Sequence, residues 1–225
     1  AGYRASGPVA ACAYEWLSRV GEPGSVVIIG TNHTGLGPAA SVLAEGSWST
    51  PLGEQGIDTE LAGSLVGGSD LLENSSTAFT REHSIETQLP FLQHLLGTDF
   101  SFVPICPRDQ SRETAVEIGK TIAAISPPGT LMIASSDFSH YEPQDVAEKK
   151  DRSAIDSILD MDVGRFYERV DRENITICGF GPIGSLIAFA QEEGLSPEEL
   201  GYATSGEITG MGKEVVGYSA IGFRG

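Results

Sequence analysis

Residues 25–37, Ser-Val-Val-Ile-Ile-Gly-Thr-Asn-His-Thr-Gly-Leu-Gly, constrain the fold more than any other stretch, because an unbroken β-branched run stops at a histidine. A short continuous apolar run without alternation is the pattern of a strand buried on both faces, which calls for a sheet covered by helices on each side. His33 then falls where that strand leaves the sheet. In open α/β sheets ligands gather beyond the carboxyl ends of the strands, so a metal-competent side chain there is a site candidate. A loop histidine that merely caps a turn would look the same in this stretch alone.

The 225 residues suffice for one α/β domain with its own core, expected to span 1–225. Three scattered cysteines, Cys12, Cys106 and Cys178, make no disulfide framework, and their odd count points to a reduced, cytoplasmic compartment. A formal charge of −17 with only 14 Lys and Arg argues against nucleic acid and anionic membrane surfaces, since neutralising phosphates takes cations. The longest uncharged stretch, 175–191, is broken by Gly179, Gly181, Pro182 and Gly184. It falls short of the ~20 residues that span a bilayer, so no transmembrane helix is expected. The opening Ala1-Gly-Tyr-Arg-Ala-Ser-Gly resembles neither a signal peptide nor a natural start, and a segment upstream of it is expected.

Apolar spacing predicts an alternation of strands and helices along the chain. A helix over 8–20 precedes the strand at 25–30, and short extended pieces at 41–45 and 48–51 suggest a hairpin around Gly46. A helix over 58–66 is capped by Asp58. The helix expected over 80–96 places Ile85, Leu89, Leu92 and Leu96 on one face, Glu82 and Glu86 on another, and His83 in the first turn, with a kink at Pro90. His94, late in that helix, reads as a surface residue. A second buried-type strand at 100–105 leads to a helix from 111, and a third at 130–134 runs into Ser135-Ser-Asp-Phe-Ser-His-Tyr. Helices over 143–159 and 162–170, an extended piece at 174–178, a helix opened by Pro182 and strands at 200–204 and 215–223 complete the reading.

Three chemistries compete for the polar residues. Gly179-Phe-Gly-Pro-Ile-Gly184 matches the dinucleotide fingerprint and is followed by Glu207 at about ribose-contact distance, but such a fingerprint normally opens a first βαβ unit rather than the last third of a domain. Cys178, just ahead of a helix whose free amides favour thiolate, would act either as a nucleophile with His33 or His140 as base, or as a metal ligand. Cys12 and Cys106 lie within apolar elements and read as inert. The third reading gathers His33, Glu82, His83, Asp137, His140 and Cys178 around one cavity at the strand ends. Imidazole with thiolate suits zinc, copper or iron, whereas magnesium and calcium want oxygen ligands.

In chain order, Ala1-Gly-Tyr-Arg-Ala-Ser-Gly, Gly30-Thr-Asn-His33, Thr50-Pro-Leu-Gly, Glu82-His-Ser-Ile-Glu-Thr-Gln-Leu-Pro-Phe, Ser135-Ser-Asp-Phe-Ser-His-Tyr and Ile177-Cys-Gly resemble the Memo family, over nearly the whole length. The resemblance implies an α/β sandwich with a central, mostly parallel sheet flanked by helices, related to the class III extradiol dioxygenases. It further implies an iron or copper site of two histidines and a cysteine. By motif, His33 would be one histidine and Cys178 the thiolate. The other histidine belongs to the family string Pro-His-Ala-Gly-Tyr, of which this sequence starts at the Ala, so it is expected just before Ala1. Glu82, His83, Asp137 and His140 match the family's cavity motifs, with His83 or His140 as the acid or base. Two functions stay open: a metal-dependent oxidoreductase acting on an unidentified small molecule, or a non-enzymatic protein that sequesters metal or binds a peptide. An AMMECR-like protein and a radical SAM protein are the partners the resemblance suggests.

Overall fold

The structure, a computed structural model, describes residues 2–210 and 212–225. Ala1, where the family string resumes, lies outside the described residues. In chain order the elements are α1 (Tyr3–Leu17), β1 (Ser25–Ile29), β2 (Ala40–Val42), β3 (Ser47–Thr50), β4 (Gly53–Ile57), α2 (Thr59–Gly68), β5 (Leu72–Asn74), α3 (Leu89–Leu96), β6 (Ser101–Pro107) and α4 (Arg112–Ile125). There follow β7 (Thr130–Ala134), β8 (His140–Glu142), α5 (Gln144–Leu159), α6 (Val163–Arg172), α7 (Phe180–Glu192), β9 (Ser196–Thr204), α8 (Ser205–Thr209) and β10 (Val215–Arg224).

The β-branched run becomes β1, the inner strand of a sheet ordered β3-β4-β6-β1-β7, with β2 and β5 attached through β6. Strand β1 pairs in parallel with both β6 and β7, β4 is parallel to β6, and β2 to β5; only β2–β6 and β3–β4 run antiparallel. Val26, Val27, Ile28 and Ile29 are all buried, so both faces of β1 are covered, as an unalternating run requires. The covering side chains include Leu61 and Leu65 of α2, Leu89 and Leu92 of α3, Ile118 and Ile122 of α4, Phe189 of α7 and Leu17 of α1. A second, antiparallel sheet, β8-β10-β9, stands beside the first over a smaller core formed with α5, α6 and α7. The fold is thus the α/β layering with a mainly parallel central sheet that the sequence implied. Among the described residues, no helix is long and apolar enough to cross a membrane.

Several local expectations are corrected. The helix expected over 80–96 exists only as Leu89–Leu96; Pro90 stands in its first turn and starts the helix rather than kinking it. The chain before it turns because the Glu82 carboxylate accepts the amides of His83 and Ser84, a local alternative to helical pairing. Helix α1 begins at Tyr3 rather than at Pro8, which lies inside it. Trp48 belongs to a hairpin with the unforeseen β4, not with β2, whose partners are β5 and β6. Residues 174–178 form no strand, and β9 starts earlier than expected, at Ser196, while β10 starts at Val215 as expected.

Candidate functional site

The carboxyl ends of β1 and β7 lie side by side, because the Ser135 amide donates to the Ile29 carbonyl and so extends the parallel ladder by one step. Beyond β1, Gly30 allows the 82–85 turn to sit directly on the strand end: a Cβ there would lie 2.5 Å from Ile85 Cγ1 and from Ser84 Oγ. The Thr31 amide donates to Ser84 Oγ at 2.9 Å, which locks that turn in place.

The turn places Glu82 under His33. The His33 amide donates to Glu82 Oε2 at 2.7 Å, and His33 Nδ1 lies 2.9 Å from Oε1 and 3.1 Å from Oε2. Burial works to raise the Glu82 pKa, but hydrogen bonds from the His33 ring and amide and from Ser84 outweigh it and hold the carboxyl at about 2. The influence of the neighbouring Cys178 thiol, then the hydrogen bond to Glu82, pushes His33 up to about 10 against the opposing effect of burial. With Nδ1 on Glu82, Nε2 is the nitrogen left for the thiol or an ion. His83, half exposed, stacks on His33 with centroids 5.0 Å apart and planes 24° apart.

Cys178 reaches this point from the far side. The Asp137 amide donates to its Sγ at 3.2 Å, with the Thr31 hydroxyl at 3.7 Å and the Ser136 hydroxyl at 3.6 Å. Burial pushes the thiol up, and hydrogen bonds with His33, the Asp137 amide and Ser136 more than offset it, so the thiol titrates below its ordinary value. Cys106 is the contrast: buried on β6, it is pushed up to about 12 by burial and stays a thiol. Cys12 is half-buried on α1 rather than fully enclosed.

Two further residues, Asp137 and His140, lie next to Cys178, Asp137 on the cavity wall and His140 behind it. His140 is tied by Nδ1 to the Thr176 carbonyl at 2.8 Å, so its Nε2 is turned to Asp137, 3.8 Å from Oδ2. The structure therefore brings His33, Glu82, His83, Asp137, His140 and Cys178 to one end of the sheet. The donor atoms of His33, Glu82 and His83 all lie within 4.8 Å of one another. Glu82 is nevertheless poorly suited to ligate, since three amides and an imidazole already occupy its two oxygens. Its chemistry is that of a carboxylate orienting a histidine.

Sequence reasoning missed three supports: Thr31, Ser136 and Gln110. Gln110 bonds the Cys178 carbonyl at 3.0 Å and accepts the Gly181 amide at 2.8 Å, which fixes the chain at the thiol. That contact also gives the glycine tract a packing role. A Cβ at Gly179 would strike Thr31 and Ser136, one at Gly181 would crowd Gln110 and one at Gly184 would meet Tyr167. The Gly179 and Gly181 amides are already taken, and no strand precedes them, so the dinucleotide fingerprint lacks its structural context. His94 is exposed on α3, as expected.

A cavity of about 240 Å³ opens from the site and runs the length of β7. Its polar end carries Thr31, His33, Ser135 and Cys178; the remainder, between α1, β7 and β10, is largely apolar.

The sequence model of Memo-like proteins matches residues 1–222. A MEMO1 family protein of Methanopyrus kandleri is 46% identical over 228 residues, covering 100% of this chain and 81% of the relative. One from Sulfolobus acidocaldarius is 42% identical over 226 residues, covering 99% of this chain and 80% of the relative. In fold, the chain is similar to the crystal structure of an uncharacterized protein of Escherichia coli K12, with a TM-score of 0.62 at 13% identity, over 91% of this chain and 90% of that one.

Proposed function

The chain belongs to the Memo family, and on that premise we propose that its strand-end pocket is a redox-metal site, with His33 and Cys178 as donors. The observation that carries this reading is the position of the His33 ring, held at Nδ1 by a buried carboxylate and lining the same cavity as the Cys178 thiol, whose pKa is lowered. A carboxylate on the distal nitrogen is the usual support of a metal-binding histidine. Imidazole and thiolate together fit copper, iron or zinc and do not fit magnesium or calcium. The third donor would be the histidine expected upstream of Ala1. A reduced, cytoplasmic setting would keep Cys178 available.

A redox-active ion at these donors supplies one-electron chemistry toward oxygen or another small oxidant. The rest is the work of the chain's own side chains. Glu82 keeps His33 in one orientation, and His83 lies at the rim, stacked on it. His140, with Nδ1 on a carbonyl, would hold or release a proton at Nε2 beside Asp137, toward a substrate oxygen. On this reading the protein is an oxidoreductase akin to the extradiol dioxygenases, acting on a small molecule in the cavity. The experiment is anaerobic loading of the protein, upstream residues included, with Fe(II) or Cu(I), followed by oxygen uptake against a panel of phenols. Turnover supports the oxidoreductase; tight Cu(I) binding without turnover points to sequestration; no binding of either ion removes the metal reading.

A further inference from the structure

Glu82 treats its two histidine neighbours differently. Its carboxylate accepts the His83 amide at 2.9 Å, so the backbone that carries His83 is anchored. The His83 ring is not: its Nδ1 stands 3.7 Å from Glu82 Oε1, beyond hydrogen-bond distance, and among the described residues the ring makes no hydrogen bond. His33 Nδ1, by contrast, is held 2.9 Å from the same oxygen. Exposure is graded in the same order. The Glu82 side chain has no exposed surface, that of His33 is 37% exposed and that of His83 50%, so the three rise from the floor of the site to its mouth. The His83 ring lies against the His33 ring, with only 24° between their planes.

A metal-binding histidine ordinarily has its second nitrogen fixed by a hydrogen bond, as His33 has and His83 lacks. His83 is therefore not built as a permanent ligand. It suits the opposite task. A hydrated cation gives up its waters one at a time as protein donors replace them, so the first donor it meets must be exposed and quick to turn, and the last must be fixed. An exposed side chain changes rotamer in picoseconds to nanoseconds. The donor atoms of His33, Glu82 and His83 lie within 4.8 Å of one another, and two nitrogens on opposite sides of one ion stand about 4 Å apart. A small turn of the exposed ring thus puts both imidazoles on a common ion. The Glu82 oxygens are already occupied, but its negative charge, together with the formal charge of −17 on the chain, attracts cations to this mouth.

On the redox-metal reading, we infer that His83 is the capture residue of the site, which takes the incoming ion from water and hands it to His33 and Cys178 without staying bound to it. His33 and Cys178 line the cavity and His83 does not, which sets the order of transfer from rim to interior. Each step is a ligand exchange with no change of oxidation state. An ion–water bond gives way to a bond from the ion to the His83 imidazole, and that bond gives way to one from the Cys178 sulfur, whose proton leaves to solvent.

The test is stopped-flow mixing of the metal-free protein with Co(II), a spectroscopic stand-in for Fe(II), at one pH. The cobalt–thiolate absorption reports arrival at Cys178, and a chelator chase reports release. In His83→Ala, loading and release should both slow by about tenfold, because a stepping stone lowers the barrier from either side. The equilibrium affinity should stay unchanged. His83→Met should restore fast loading of Cu(I), followed by displacement of a chromogenic chelator, and not of Co(II), since a thioether is a ligand for the soft ion. Unchanged rates in His83→Ala overturn the capture role alone. Lost affinity with faster release overturns it in favour of a permanent ligand. Equal behaviour of the two ions in His83→Met also overturns it, whatever the stability of the alanine variant. Absence of a cobalt–thiolate band in the native protein overturns the metal reading, and the capture role with it.

Discussion

His33 Nδ1 and Glu82 Oε1 lie 2.9 Å apart across 49 residues of chain, and the glutamate side chain beneath the imidazole has no exposed surface. The pair converts a loop histidine into one with a fixed orientation.

That pair predicts a pH dependence of the metal-free protein. Glu82 is lowered from its ordinary 4.5 to about 2, so its contribution to stability is complete above pH 4.5 and is lost as pH falls toward 2. His33 is raised from 6.5 to about 10, by Cys178 first and Glu82 second, so the share that Glu82 supplies is complete below pH 6.5 and is lost as pH rises toward 10. The difference in Tm between the native protein and Glu82→Gln should be widest between pH 4.5 and 6.5 and shrink on both sides. A difference independent of pH would mean that the ion pair does not form.

Cys178→Ser should lower affinity for Cu(I) or Fe(II) by more than the ~10–100-fold typical of losing an orienting partner. Glu82→Gln should fall within that range. Cys106→Ser, on a buried thiol of β6, should leave affinity unchanged. Competition titration with a chromogenic chelator ranks the three, and equal effects of the two cysteine variants would remove Cys178 from the site.

Gly30→Ala should cost about 1–3 kcal/mol of stability by overpacking, since its Cβ meets Ile85 and Ser84 at 2.5 Å. The displaced atoms belong to the turn that carries Glu82, so the variant should also lose metal affinity. Urea melts and the same titration check both effects; a variant as stable as the native protein would contradict the close approach.

Gln110→Ala leaves the Cys178 carbonyl and the Gly181 amide without their side-chain partner, and about 1–3 kcal/mol should be lost where these groups stay buried. Faster alkylation of Cys178 by iodoacetamide would show that the chain there has loosened. An unchanged rate would mean that Gln110 does not hold it.

Much of the layering was legible because buried strands declare themselves locally. The runs at 25–29, 101–105 and 130–134 are apolar without alternation and became the adjacent parallel strands β6, β1 and β7. The 80–88 stretch misled, because Ile85 and Leu89 have helical spacing while the competing hydrogen bonds come from a side chain, Glu82, that folds back on its own backbone. The hairpin at Trp48 was assigned to the wrong partner because Gly53–Ile57, with two glycines and two polar residues, carries little strand signal.

At the site, residue types alone marked His33, Glu82, His83, Asp137, His140 and Cys178, because few side chains bind metals or move protons and these fall near predicted element ends. Their division of labour was not readable from the sequence. Glu82 is an orienting anion rather than an exposed acid on a helix, and Thr31, Ser136 and Gln110 hold the thiol although nothing local distinguishes them from other polar loop residues. The sequence by itself determined which strands are buried and where they end, since burial is written in consecutive side chains. Only the tertiary structure decided which strand ends become neighbours, and hence which hydrogen bonds set the charge of the imidazole and the sulfur. Those bonds join positions 41 to 147 residues apart, a distance over which local pattern carries no information.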